Sequence, residues 1–207
     1  DCAIQIENVE NSGDLTIKKS KNVKLNQINV GGKLTISNCN EYANIFVSDS
    51  TVKNMELSNT TNFNINNTLI SGDANFAKSS SVISKNITIN GTLIVNSSAI
   101  IDNNSKFNKV VLKSKGSAFF NKSNINGGIT SNNGTLKLNN ETIVNSGIEA
   151  DDSKIEINNS TIFGNTKYSD TSLLLSNSVL NGEFRFENSP ISKQKFDISN
   201  TRISGYV

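Results

Sequence analysis

Lys154-Ile155-Glu156-Ile157-Asn158-Asn159-Ser160-Thr161-Ile162-Phe163-Gly164 is the stretch on which the fold turns. Ile155 and Ile157 alternate with charged residues, as a strand with one buried face requires. Asn158-Asn159-Ser160 then breaks the alternation, Thr161-Ile162-Phe163 resumes it, and Gly164 breaks it again. Two strands this short, separated only by turn residues, leave no room for a hairpin sheet or a helix. They suit a chain that bends every few residues around a narrow core.

Working outward, paired apolar residues recur at nearly constant spacing: Leu15/Ile17, Leu34/Ile36, Met55/Leu57, Ala74/Phe76, Leu93/Val95, Val110/Leu112, Leu136/Leu138, Ile155/Ile157, Leu173/Leu175 and Phe196/Ile198. The spacing predicts a period of about twenty residues, with longer steps near Ser114 to Gly134 and Gly182 to Lys195. Further alternating pairs such as Val23/Leu25, Ile45/Val47 and Ile87/Ile89 bring the count to three short strands per period. Ser12-Gly13, Gly31-Gly32, Ser71-Gly72, Asn90-Gly91, Gly127-Gly128, Asn133-Gly134, Gly164-Asn165 and Asn181-Gly182 supply the bends, since Gly and Asn tolerate positive φ. The expectation is an all-β chain forming one domain over residues 1–207, a single parallel β-helix (β-solenoid) of about ten coils of roughly 20 residues.

Composition agrees. Only 35% of residues are apolar and 6% aromatic, Trp is absent, and Asn, Ser and Thr fill close to two-fifths of the chain. Disordered chains of such low hydropathy are rich in Pro and charge, whereas Pro occurs once here and charged residues make up 18%. A thin apolar strip under a coat of small polar side chains is what a solenoid needs. A tripeptide theme (Ser37-Asn38-Cys39, Ser58-Asn59-Thr60, Asn139-Asn140-Glu141, Asn158-Asn159-Ser160, Ser176-Asn177-Ser178, Glu187-Asn188-Ser189 and Ser199-Asn200-Thr201) suggests amide ladders between stacked coils. Asn38, Asn59, Asn140, Asn159, Asn177 and Asn200 are its candidates. The ten Phe residues, Phe46 and Phe119 among them, are expected mostly in the interior stack. Asn-x-Ser/Thr triplets, as at Asn59, Asn66, Asn86, Asn90, Asn140 and Asn159, read as a consequence of composition.

The pattern of short strand, Asn-Ser or Asn-Thr corner and short strand resembles right-handed parallel β-helix proteins of the pectin-lyase-like superfamily and the passenger regions of bacterial surface adhesins. That resemblance covers nearly the whole chain at the level of fold and implies right-handed coils. It also implies that any polysaccharide lyase or hydrolase activity would rest on clustered acidic residues. Glu149, Asp151 and Asp152 form the one cluster, and at a strand end they read as a solvated corner.

The rest of the chemistry inventory is short. No His is present, which removes His-dependent nucleophile systems and the commonest zinc ligand. No phosphate loop occurs, so no cofactor is expected. Calcium repeats of the glycine- and aspartate-rich kind are lacking. A net charge of +2 with scattered lysines gives no nucleic-acid footprint, and no apolar run is long enough to insert in a membrane as a helix. Tyr42, Tyr168 and Tyr206 are expected at corners or ends, partly buried against loops, where they could touch a sugar or a partner. Cys2 and Cys39 are candidates for one disulfide, worth about 3 to 4 kcal/mol by loop-closure entropy. The chain opens on Asp1-Cys2-Ala3, as a mature secreted chain would.

Function follows from the ends. The strand pattern runs from Ala3-Ile4-Gln5-Ile6 to Ile203-Ser204-Gly205-Tyr206-Val207 without a capping element, and an uncapped solenoid offers open edges. The expected role is an extracellular structural protein, not an enzyme, whose copies stack head to tail into a filament through Ile4, Ile6, Phe196, Ile198, Ile203, Tyr206 and Val207. Self is then the partner. An adhesin passenger binding a cell-surface glycan or host surface is the second expectation, and a polysaccharide-processing enzyme the third.

Overall fold

A computed structural model describes residues 3–39, 43–78, 81–187 and 196–206. Every regular element among them is a strand, and every pairing is parallel. The chain winds as a β-solenoid of about ten turns. Each turn contributes one strand to each of three stacked columns.

The first column holds eleven strands, beginning with Ala3–Glu7, Asn22–Asn26 and Asn44–Ser48 and ending with Ser172–Ser176 and Phe196–Ser199. The second holds two- or three-residue strands such as Leu69–Ile70, Ile143–Val144 and Arg202–Ser204. The third holds strands such as Leu15–Lys18, Ala74–Ala77 and Phe184–Glu187. In some coils one strand runs through the corner between the second and third columns, as in Asn29–Ser37 and Thr88–Asn96, with a register shift at Val30/Lys33 and at Ile89/Thr92.

Register fixes the period. Ile45, Phe63, Val82, Ile100, Ala118, Leu136, Ile155 and Leu173 stack in the first column, 18 or 19 residues apart. Two steps are longer, from Val23 to Ile45 and from Leu173 to Phe196, and both span stretches outside the described residues.

This register corrects the expected long step near Ser114 to Gly134. Val110 and Leu112 lie in the third column, whereas Leu136 and Leu138 lie in the first. The third column continues through Ile129/Ser131, Ile148/Ala150 and Thr166/Tyr168, where Ser, Ala and Thr replace large apolar residues and hide the repeat. The period does not stretch there; the apolar signal moves to another column.

Each strand turns alternate residues inward, so the core is a single file of Leu, Ile, Val and Phe along the axis. A fully buried Leu, Ile or Phe contributes about 1.5–3 kcal/mol. Tilted ring pairs link neighbouring positions, with centroids 5.0 Å apart for Phe107 and Phe120 and 5.7 Å for Tyr168 and Phe184. Tyr168 is thus a core residue, completely buried, and not a corner residue against a loop. Phe63, Phe76, Phe107, Phe120 and Phe184 are interior as expected, but Phe46 and Phe163 stand outward, 47% and 41% exposed. They occupy the odd phase of their strands, and parity outranks residue type.

The three corners use different chemistry. Seven of the eight expected bend pairs, all but Asn133-Gly134, sit at the corner between the second and third columns. The other two corners turn on left-handed residues that are not glycine, one in most coils and two at Ser114-Lys115, at Asn140-Glu141 and at Asn59 with Asn62. After the first column they include Asn8, Gln27, Asp49, Asn67, Asn86, Asn104, Lys122, Asn159, Asn177 and Asn200, with φ between 46° and 59°. After the third they include Lys19, Asn38, Asn59, Ser97, Asn133, Asp152 and Asp170. Asn and Asp bear this conformation at least cost.

Candidate assembly interface

At the corner after the first column, the left-handed residue points its side chain outward and the next residue points inward. Inward places hold Ser50, Thr68, Ser105, Ser123, Ser160 and Ser178, all buried. In Ser50, Thr68, Ser160 and Ser178 the hydroxyl donates to the carbonyl two residues back, as Thr68 does to Asn66 at 2.8 Å and Ser178 to Ser176 at 2.6 Å. Inward hydroxyls also accept from the backbone of the preceding coil, as Ser105 does from Ile87 N–H at 3.0 Å. Asn-x-Ser/Thr triplets such as Asn66-Asn67-Thr68 and Asn158-Asn159-Ser160 are therefore the corner motif itself, an architectural pattern and not only a by-product of composition. Cys39 takes the inward place at the other corner, buried, with Sγ 3.7 Å from the Ser37 carbonyl oxygen, where Thr60 Oγ1 meets the Ser58 carbonyl. Cys2 lies outside the described residues, as do Tyr42, Asn188 and Val207.

Outward amides meet between coils. Asn59 Nδ2 donates to Asn38 Oδ1 at 2.9 Å, and Asn200 Nδ2 to Asn177 Oδ1 at 3.4 Å. Asn140 donates to Asn121 at 2.6 Å, and Asn177 to Asn158 at 3.2 Å. Asn159 is the exception: no side-chain hydrogen bond joins it to Asn140 or Asn177 among the described residues, because both neighbours pair one position earlier. The longest run was not among the sequence candidates. Asn67 donates to Asp49 at 3.0 Å, Asn86 to Asn67 at 3.1 Å and Asn104 to Asn86 at 2.8 Å. Lys122 at the next corner ends it. These residues follow Ser48, Asn66, Lys85 and Asn103, so no shared tripeptide marked them; their 18- or 19-residue spacing was the available signal.

The ladder carries a testable energy. Asn86→Ala removes two amide bonds and places a Cβ-bearing residue without a compensating side chain at φ 53°, for an expected loss of about 1–2 kcal/mol. Asn86→Gly keeps the backbone permissive and should lose about half as much. Urea denaturation of both variants separates ladder from strain, and equal losses would assign everything to the amides.

At the two ends the core is thinner. Ile4, Ile6, Leu15, Phe186, Ile198 and Ile203 are partly buried and pack against it. Phe196 is 51% exposed although its ring meets Phe186 edge-on at 4.9 Å, and Tyr206 is 84% exposed. Each edge residue has a register equivalent at the opposite end. Following partners coil by coil, Phe196 and Ile198 descend to Ile4 and Ile6, and Arg202 descends to Glu10. Asn200 and Asn8 occupy the same left-handed corner, with φ 47° and 54°. The charge and corner matches at Glu10, Arg202 and Asn8 were invisible without the register.

On the outer side of the glycine corner, an open groove of about 420 Å³ is lined by Lys109, Gly128, Gly147, Glu149, Asn165, Lys167 and Arg185. Lys167 pairs with Glu187 at 3.1 Å and Arg185 pairs with Glu183. Asp151 ends a third-column strand and Asp152 turns the corner after it, both exposed. Among the described residues no group of three or more Cys, Asp and Glu side chains lies close enough to hold a metal ion, and no helix is long and apolar enough to cross a membrane.

The geometry defines a parallel β-solenoid with amide-bonded corners and two matched edges. No protein-family model, curated protein or solved structure matches the chain.

Proposed function

We propose that the chain is an extracellular structural solenoid that extends head to tail into further copies, forming a filament or surface fibre. The observation behind this reading is the equivalence of the two edges. A second copy stacked on Phe196–Ser199 by the coil register sets its Ile4 and Ile6 over Phe196 and Ile198. Its Asn8 continues the corner of Asn200, and its Glu10 faces Arg202. Backbone hydrogen bonds in the first two columns, the apolar file and one ion pair would then cross the junction. Contacts of this head-to-tail kind do not close on themselves and propagate.

The test is charge reversal watched by negative-stain microscopy and sedimentation. Wild-type protein should give fibres about one coil wide. Glu10→Lys and Arg202→Glu should each shorten or abolish them, and an equimolar mixture of the two variants should restore them as alternating copies. Failure of the mixture to assemble, with both variants folded by circular dichroism, would reject the junction.

The polar groove at the glycine corner favours a second reading, that of an adhesin passenger related to the pectin-lyase-like β-helices, with a surface glycan along Lys109, Asn165, Lys167 and Arg185. Glycan-array binding lost on Lys167→Glu would support it. An enzymatic role would draw on Glu149 and Asp151, which line a second open groove of about 340 Å³ with Lys167 and Ser169, while Asp152 stands outside it.

A further inference from the structure

The first column carries on its outer face a row that does not suit a solvated surface. In register order it reads Gln5, Lys24, Phe46, Asn64, Ile83, Ile101, Phe119, Lys137, Glu156, Leu174 and Asp197. Phe46, Ile83 and Ile101 are 47%, 49% and 51% exposed. Flanking rows are small and neutral for the most part, as at Asn44, Ala99, Ser117, Thr135 and Ser172, so the face is flat with a low apolar ridge at its middle. Parallel sheets ordinarily have both faces covered, and side chains are spent here on a ridge that contributes nothing to the interior.

We infer that this face pairs with the same face of a second copy, antiparallel, about a two-fold axis between Ile83 and Ile101. Charge selects that axis. With it, Ile83 meets Ile101 of the second copy, and Lys24, held by its own Glu7 at 3.0 Å, meets Glu156 of the second copy, itself held by Lys137 at 2.7 Å and Lys154 at 2.8 Å, so that two ion-pair clusters join, twice by symmetry. The Lys137 stem and ammonium also lie on the Phe46 ring of the second copy, a cation–π arrangement. Moving the axis one half-coil toward the N-terminus sets Lys24 against Lys137, and moving it the other way sets Phe46 against Glu156. The area suffices: eleven strands about 4.8 Å apart and about five residues wide give roughly 800 Å² per partner, the size of an ordinary specific interface. This pairing is lateral and runs through no terminal coil, so it stands or falls separately from head-to-tail stacking.

The experiment is sedimentation equilibrium in a Glu10→Lys background, which suppresses axial growth. The Glu10→Lys protein should sediment as a dimer. Ile101→Asp added to it should weaken dimerisation roughly 100-fold, because symmetry buries the new carboxylate twice. Its melting temperature should stay nearly unchanged, since Ile101 faces outward. Lys24→Glu should weaken the dimer. A monomeric Glu10→Lys protein at its solubility limit overturns the inference. So does an Ile101→Asp variant that remains dimeric, or a Lys24→Glu variant that dimerises as tightly as its parent.

Discussion

Gly147→Ala lowers unfolding stability by roughly 3–5 kcal/mol, whereas Gly13→Ala changes it by less than about 0.5 kcal/mol. The two glycines occupy the same corner between the second and third columns in different coils. Gly147 has φ 81°, and a Cβ on it would overlap the carbonyl oxygen of Asn165 in the next coil, backbone against backbone. Neither side can rotate away, so the two coils must part, which strains the Ile148/Thr166 pairing between them. At Gly13 the nearest atom to such a Cβ is the Asn11 side-chain oxygen at 3.8 Å, in ordinary contact. Urea midpoints of the two variants check this directly. Similar midpoints would mean that coil spacing at the glycine corner is soft, contrary to the close stacking derived from the register.

Gly147 also shows what sequence could and could not give. The strand phase of Ile155 and Ile157, the coil length and the all-parallel architecture were legible because burial on one face writes a period of two, and stacking writes a period near nineteen. Which glycine is indispensable was not legible, since Ser146-Gly147 and Ser12-Gly13 are the same dipeptide and differ only in the neighbouring coil. Tyr168 misled for a related reason: a phenol looks like a surface residue, but position in the third column places it inside against Phe184. The outward ridge of Ile83 and Ile101 carries no mark in the sequence, since both are apolar like the core, and only register reveals their parity. Of the terminal-coil residues, Ile4, Ile6, Phe196, Ile198 and Ile203 could be named from pattern. Glu10 and Arg202 could not, because they are 192 residues apart and correspond only through the register of the stack.

The second large effect is expected at Asp102, which beside Asn103 reads in the sequence as one more corner acid but lies inside a strand, buried. Its strand, Ala99–Asn103, turns Ile100 and Asp102 inward, and in the first column Asp102 lies between Ser84 and Phe120. The carboxylate is wholly buried. Ser84 Oγ and Ser105 Oγ donate to Oδ1 at 2.5 and 2.6 Å, and Ser123 Oγ donates to Oδ2 at 2.6 Å. Desolvation pushes the carboxyl pKa above its ordinary value, and the three hydroxyls offset that shift only in part. A raised acid pKa means that the folded state keeps a proton the unfolded chain releases. The resulting stability is fully present below the unfolded-state value near 3.8 and is lost as pH rises through the folded-state value.

Asp102→Asn removes the titration while preserving the cage. Its amide oxygen accepts from Ser84 and Ser105, its amide N–H donates to Ser123 Oγ, and the Ser123 proton turns to the Asn121 carbonyl 3.0 Å away. The variant should therefore gain on wild type as pH increases from acid to neutral. Asp102→Ala instead strands the Ser84 hydroxyl and opens a cavity, for a loss of about 2–4 kcal/mol at acid pH, where the wild-type carboxyl is protonated. Thermal unfolding of the three proteins across pH decides the matter. A stability of Asp102→Asn relative to wild type that is flat with pH, or that falls toward neutrality, would show that the serine cage holds the carboxylate as comfortably as water does. Coils of this solenoid would then tolerate an ionised side chain in the apolar file, and single-file packing would demand less apolarity than the stacked Leu, Ile and Phe positions imply.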